Sequence, residues 1–202
     1  MVGRKRTTND TNKTKELVSF FFEIGTLRKI ARSHRQTLLT DDFSDNIASH
    51  SFRTAFIGWF LAEIENADSY KVVMMCLLHD LEETRAGDQN WVHKRFVKVF
   101  EEEIRKGQLT PLPKANELLS LSSEYQGRET LEAKLAKDAD LLDQILLLKE
   151  YSHQGNKEAD DWLKGGQQEK LMFSKTAKKL AHEAYQQTPS DWWQNLWINK
   201  RR

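Results

Sequence analysis

A histidine followed directly by an aspartate, His79 and then Asp80, stands at the end of an apolar run and is the strongest chemical signal in the chain. In the segment CLLHDLEETRAGD, Glu83 comes four positions after His79, about one turn further along a continuing helix. Gly87 is expected to end this helix, and Asp88 follows where a loop can direct its carboxylate back toward the same cleft. An imidazole and several carboxylates at the end of a buried helix predict a divalent metal site.

Two other segments carry residues that could complete such a site. His50 lies in NIASHSFRTAFIG, within an apolar helix where packing alone does not call for an imidazole. Asp140 lies in AKLAKDADLLDQIL, among alanines and leucines. A single histidine on an apolar face is more often a hydrogen-bonded core residue, and a single helical aspartate is more often solvated. Three separate helices each supply such a residue, which favours a shared metal site.

The order of these residues resembles the HD-domain superfamily of metal-dependent phosphohydrolases. His50 precedes His79 by 29 positions, and Asp140 follows Asp80 by 60. The run HDLEETRAGD resembles the HD-xx-E-xxxx-D pattern of the HD-domain 5'-deoxynucleotidases, and NIASHSFRTAFIGWFLA and EAKLAKDADLLDQ are similar to their first and last ligand helices. The resemblance implies an all-α fold, the HD-domain helical bundle. We expect one domain over residues 14–202, with a metal-binding core at roughly 20–155 and C-terminal helices at 157–198.

The same resemblance implies roles for individual residues. Two imidazoles and two carboxylates would bind one divalent ion. This mixed set of nitrogen and oxygen ligands suits Mn, Co, Fe or Zn better than Ca, and Mg is also possible. Glu83 matches the catalytic acid or base of the family, and Asp88 matches a carboxylate that holds the nucleotide sugar or orients water. The four implied metal ligands are His50, His79, Asp80 and Asp140.

A basic segment before the first ligand helix, LRKIARSHR, resembles the phosphate-binding segment of that family. The resemblance implies that Arg32 binds the substrate phosphate, for which a planar guanidinium is well suited, and Arg35 is a second candidate for substrate binding. Arg35 stands where the family usually has a tryptophan, and residues 46–49 lack the acidic residue often found there. These departures leave the base and sugar preference open. A solvated basic face is an equally weighted alternative for both arginines.

The elements that position these residues are predicted to be almost entirely helical, because the chain has only three prolines and nine glycines. The helix that carries His50 is expected to be capped by Ser44 or Asp45, and Asp138 is expected to face solvent. The segment WVHKRFVKVFEEEIRKG predicts one amphipathic helix that ends at Gly107. Other helices are predicted at about residues 14–26, 129–155, 157–164 and 168–187, after a flexible polar arm over residues 1–13.

Composition narrows the class of protein. A net charge of +1 gives no general attraction to nucleic acid, and no apolar run approaches the length of a membrane helix. The single cysteine, Cys76, fits a reducing compartment. We therefore expect a cytoplasmic enzyme with a small-molecule nucleotide substrate and neither nucleic acid nor membrane as a partner. A homodimer through the aromatic C-terminal segment is left open.

Three functions are compatible with these residues. The leading one is a phosphomonoesterase that releases phosphate from nucleoside or deoxynucleoside 5'-monophosphates by metal-activated water. A second is another phosphohydrolase of the same superfamily that acts on nucleoside triphosphates or an alarmone. A third is a non-catalytic nucleotide-sensing module. His93 is the one histidine between Asp80 and Asp140, which favours a single metal ion over two.

Overall fold

The computed structural model describes residues 8–194 and 196, and helices dominate this part of the chain. Among these residues, β pairing is limited to an isolated antiparallel bridge between Ala31 and Asn46. The predicted all-α fold is therefore confirmed. In chain order the helices are α1 (Thr8–Ile24), α2 (Ile47–Glu65), α3 (Ser69–Leu78), α4 (Glu83–Ala86), α5 (Trp91–Phe96), α6 (Glu101–Leu109), α7 (Ala115–Gly127), α8 (Leu131–His153), α9 (Lys157–Gly165), α10 (Gln167–Leu171), α11 (Lys175–Gln186) and α12 (Asp191–Gln194), with 3-10 helices at Gly25–Lys29 and Ser33–Gln36.

The centre of the fold is formed by α2, α3 and α8, which hold or directly precede the candidate metal ligands. The longest of them, α8, packs against α2, α3, α7, α9, α10 and α11. Its inward face buries Leu135, Ile145 and Leu148 completely. Removing each such side chain from water contributes about 1.5–3 kcal/mol, so this helix is a rigid base for the site.

Gly58 allows α2 to approach α3 closely. A Cβ atom at this position would lie 2.8 Å from Cys76 Sγ and 3.0 Å from Val72 Cγ1, closer than normal packing permits. Gly58 lies about two helical turns after His50, and Cys76 lies about one turn before His79. The close approach of the two helices therefore helps bring the two imidazoles together.

The N-terminus of α2 is capped by Asn46, not by Ser44 or Asp45 as predicted. The Asn46 side chain accepts a hydrogen bond from the backbone N–H of Ser49 (3.0 Å), and Ser49 Oγ accepts one from the Asn46 N–H (3.2 Å). The carbonyl of Asp45 accepts a hydrogen bond from the backbone N–H of Arg32 (2.9 Å). The start of α2 thus holds the basic segment in place.

The segment predicted as one amphipathic helix ending at Gly107 is divided into α5 and α6, and residues 97–100 are not helical. Val97 has an extended backbone with φ of −116°. The β-branched side chains of Val97 and Val99 lower the helix propensity of this stretch. In addition, α6 continues past Gly107 and ends at Leu109.

Asp138 holds the turn between α10 and α11, where one helix over residues 168–187 was expected. It is 1% exposed, so the prediction that it faces solvent is wrong. Its carboxylate accepts hydrogen bonds from the backbone N–H groups of Phe173 and Ser174, both at 2.7 Å. Such donors replace the water that a buried carboxylate loses, and Ser174 then caps α11.

The two ends of the chain are described only in part. The first helix begins at Thr8, within the segment expected to be a polar arm, and residues 1–7 lie outside the described part. Of the predicted C-terminal segment, Trp197 also lies outside it. No helix within the described ranges is both long and apolar enough to cross a membrane.

Candidate metal centre

His50 enters the site from α2 and is 3% exposed. Its Nδ1 lies 2.6 Å from Oδ2 of Asp143 on α8. An ionised carboxylate can only accept a hydrogen bond, so Nδ1 carries the proton and Nε2 presents a lone pair. Carboxylates orient the histidine ligands of metal ions in this way.

His79 is oriented similarly from the opposite side. It follows the last residue of α3, and its Nδ1 donates a hydrogen bond to the carbonyl of Cys76 (2.7 Å). Its Nε2 therefore also presents a lone pair, and it lies 3.1 Å from Nε2 of His50. Two lone pairs at this distance repel each other unless a positive charge lies between them.

Asp80 and Asp140 each bring a carboxylate oxygen close to the two imidazoles. Asp80 Oδ2 lies 3.1 Å from Nε2 of His79 and 3.5 Å from Nε2 of His50. Asp140 Oδ1 lies 3.4 Å from Nε2 of His50 and 3.9 Å from Nε2 of His79. The structure thus brings together all four residues that the resemblance implied as ligands. One ligand atom each from His50, His79 and Asp140 lie within 4.8 Å of one another.

The electrostatics of this cluster favour a bound cation. Burial and the charge of Arg32 oppose protonation of His50, but hydrogen bonds to Asp140 and Asp143 raise its pKa to about 9. Nε2 therefore holds a proton at neutral pH until a metal ion replaces it, and only then does its lone pair serve as a ligand. Burial also opposes ionisation of Asp80 and Asp140. The neighbouring imidazoles, with Arg32 for Asp80 and Lys137 for Asp140, nevertheless hold the pKa of both carboxyls below the usual value. Two imidazole nitrogens and two ionised carboxylates fit a divalent ion such as Mn, Co, Fe or Zn.

The helix predicted to continue from His79 through Glu83 is interrupted: α3 ends at Leu78, and α4 begins at Glu83. Glu83 still faces the same cavity. Burial and the negative charges of Asp80 and Asp88 raise the pKa of Glu83 well above its usual value. Glu83 can therefore hold a proton beside the candidate metal ligands.

Arg32 and Asp88 lie in a cavity of about 330 Å³ that is also lined by three of the metal-ligand candidates. Arg32 is 6% exposed, and its Nε lies 3.8 Å from Asp88 Oδ2. The same oxygen accepts a hydrogen bond from the backbone N–H of Ser33 (2.5 Å). Within the described part of the chain, Nε and Nη1 of Arg32 have no hydrogen-bond partner. A buried guanidinium with such donors fits an anion that has several oxygens.

Arg35 does not line this cavity. Its guanidinium carbon lies 3.6 Å from the ring centroid of Phe43, and its Nη2 lies 3.8 Å from Oδ1 of Asp41. These contacts direct the side chain toward a different surface. Its role in substrate binding stays a prediction.

Sequence reasoning missed several polar residues of the cavity wall. Lys137 and Gln144 lie three residues before and four residues after Asp140 on α8, so helical spacing could have identified them. Lys94 and Arg128 also line the cavity, but no local pattern marks them. The missed residues include three cations, whose positive charge affects how many negative groups a bound ligand can have.

Comparison with known proteins identifies the family. The model of a family described as HD domain matches residues 24–184. The 5'-deoxynucleotidase HDDC2 of Dictyostelium discoideum is 28% identical over 126 residues, which cover 56% of this chain and 66% of that protein. The match thus spans just under two thirds of the length of that relative.

Two solved structures are similar over most of the chain. A conserved hypothetical protein from Pyrococcus furiosus is 27% identical, with a TM-score of 0.68, over 84% of this chain and 99% of its own. A predicted metal-dependent phosphohydrolase from Magnetospirillum magnetotacticum is 30% identical, with a TM-score of 0.59, over 87% of this chain and 96% of its own. Since the family match includes every candidate site residue, the chain belongs to the HD-domain family of metal-dependent phosphohydrolases.

Proposed function

We propose that this protein releases phosphate from nucleoside 5'-monophosphates, with deoxynucleotides as the leading substrates. The main supporting observation is the position of Arg32 in the cavity that the metal-ligand candidates also line. This buried cation has two nitrogens, Nε and Nη1, without a hydrogen-bond partner among the residues that the structure describes. A guanidinium beside a divalent ion is suited to a phosphate monoester, which presents oxygens to both. The deoxynucleotidase HDDC2 is a relative that supports the choice of nucleotide.

Each part of the site has a proposed task. A divalent ion held by His50, His79, Asp80 and Asp140 would lower the pKa of water and offset charge on the phosphoryl oxygens. Arg32 would hold the phosphate by two parallel hydrogen bonds, and Asp88 would orient its guanidinium. Glu83, whose raised pKa favours a held proton, would transfer it to the leaving sugar oxygen.

Phosphate release from a panel of nucleoside and deoxynucleoside monophosphates, with Mn or Co added, tests the proposal. Arg32→Lys is the informative variant, because an ammonium group cannot make the bidentate contact. We expect kcat/KM to fall by about tenfold or more in that variant. Arg28→Lys is a matched control, since Arg28 is exposed and donates to the carbonyl of Gly25. Lack of turnover on every monophosphate would overturn the proposal.

A nucleoside triphosphatase is the second candidate, and the cations of the cavity wall favour it. Lys94, Arg128 and Lys137 add positive charge to that of Arg32. Lys137 is, however, paired with Asp140 at 2.5 Å, which leaves less charge for further phosphates. Turnover of a monophosphate and its triphosphate, measured side by side with identification of the released phosphate, separates the two candidates.

A further inference from the structure

One stripe of α8 forms a wall of the cavity. Lys137, Asp140, Leu141 and Gln144 all line it, and their spacing of three, four and seven residues places them on a single helix face. The order along this face is a cation, a metal-ligand candidate, an apolar side chain and a neutral amide. The two directions away from Asp140 therefore offer different environments to a bound molecule.

Gln144 lies one helical turn beyond Asp140, which corresponds to about 6 Å along the helix axis. Its Nε2 lies 3.4 Å from Nε2 of His34, another residue of the cavity wall. The edge of the His34 ring also contacts Trp162, with ring centroids 5.7 Å apart. This contact and the amide hold the imidazole in place in the cavity wall.

His34 is uncharged at neutral pH in this position. Burial and the positive charge of Arg32 lower its pKa to about 4. Gln144 carries no charge, and Leu141 adds an apolar surface beside it. On this side of Asp140, α8 and His34 therefore provide neutral hydrogen-bonding groups and an apolar contact, whereas the charged group of the same helix face, Lys137, lies on the other side.

We propose that His34 and Gln144 bind the base of the nucleotide substrate and set its base preference. The inference rests on the proposed function, because it takes the phosphate to lie at Asp140 and Arg32. A glutamine amide and a neutral imidazole are suited to hydrogen bonds with the polar edge of a base, as glutamine reads base edges in nucleic acids. Leu141 would contact the base through its apolar side chain.

A comparison of two substrates tests this assignment. One is a deoxynucleoside 5'-monophosphate, and the other is 2-deoxyribose 5-phosphate, which has the same sugar and phosphate without a base. In Gln144→Leu and in His34→Asn, we expect kcat/KM for the nucleotide to fall about tenfold, mainly through KM, and to fall much less for the sugar phosphate. Gln126→Leu is the matched control, because Gln126 lines the cavity from α7.

Equal losses for the two substrates would overturn the base assignment. Binding of the free nucleosides, measured by calorimetry on the same proteins, provides a second readout that does not need catalysis. Should the wild type hydrolyse no nucleotide, the proposed function fails. In that case, nucleoside binding lost in Gln144→Leu and kept in Gln126→Leu still supports the base site, and unchanged binding overturns it.

Discussion

Asp143 and His50 form a buried pair, with Oδ2 of the carboxylate 2.6 Å from Nδ1 of the imidazole. Asp143 comes from α8 and is 2% exposed, so solvent does not compete for this contact. The other oxygen of Asp143 accepts a hydrogen bond from Nε of Arg53 (2.5 Å). The pair fixes the tautomer in which His50 directs a lone pair at the proposed metal site, so Asp143 acts as a positioning residue.

Replacing Asp143 with asparagine should weaken metal binding without removing a ligand. We expect the affinity for Mn or Co to fall about 10–100-fold, which is typical when a carboxylate behind a histidine ligand is lost. Competition with a chelator measures the change. Arg53→Gln is the control, because it keeps the carboxylate and should have a smaller effect. Equal affinities in wild type and Asp143→Asn would contradict the positioning role.

Replacing Asp138, five residues earlier on the same helix, should instead lower stability. Its carboxylate satisfies two backbone N–H groups at the start of α11, and in Asp138→Ala those donors are left unpaired. We expect the free energy of unfolding to fall by about 1–3 kcal/mol per unpaired donor. Urea unfolding gives the stability, and chelator competition on the folded variant should show wild-type metal affinity. A large loss of affinity would show that Asp138 also supports the metal site.

Only some of these residues could be identified from the sequence alone. The four proposed ligands could be identified because each stands within an apolar helical segment or directly after one, in an order typical of a known family. The role of Asp138 depends on backbone groups 35 and 36 residues away, and no local pattern encodes that contact. The contact between His34 and Gln144 spans 110 residues and is equally invisible to helical periodicity. The fold class and the clustering of the four candidate ligands were thus predictable, while the contacts of Asp138, His34 and Gln144 were not.

Gly58 gives a test of the packing that brings α2 and α3 together. Alanine usually stabilises a helix interior relative to glycine by about 1 kcal/mol. Here the added methyl group would meet Cys76 Sγ and Val72 Cγ1, so we expect Gly58→Ala to destabilise the fold by about 1–3 kcal/mol. Adding Cys76→Ala should recover part of the loss. Gly127→Ala is the control, because a Cβ there has nothing within 4 Å; similar effects of both alanines would contradict the packing argument.

Glu23 should make stability depend on pH in the acidic range. Hydrogen bonds from Arg85 lower the pKa of Glu23, against the effect of burial, and Gln108 and Thr84 add to the shift. Because the folded-state pKa lies below the unfolded value of about 4.5, ionised Glu23 stabilises the fold above that pH. This contribution is lost as the pH falls through the folded-state pKa.

Urea unfolding of Glu23→Gln between pH 7 and pH 3 measures this contribution. We expect the variant to be less stable than wild type by about 1 kcal/mol at pH 7, and the difference to shrink toward pH 3. Glu16→Gln, at an exposed position of α1, should follow the wild type throughout. A difference that stays constant with pH would show that the charge of Glu23 is not the cause.

Glu83→Gln tests the proposed proton transfer and separates an enzyme from a nucleotide sensor. Glutamine keeps the shape of the side chain but cannot exchange a proton, so we expect kcat to fall about 10²–10⁴-fold while metal content is retained. Glu82→Gln is a matched control, because Glu82 also lines the cavity but its Oε1 is paired with Nη1 of Arg105 at 2.8 Å. Phosphate release and metal analysis on both variants decide between the assignments. If Glu83→Gln retained full activity, Glu83 could not be the acid that protonates the leaving oxygen. The leaving oxygen would then have to take its proton from water or from Asp88.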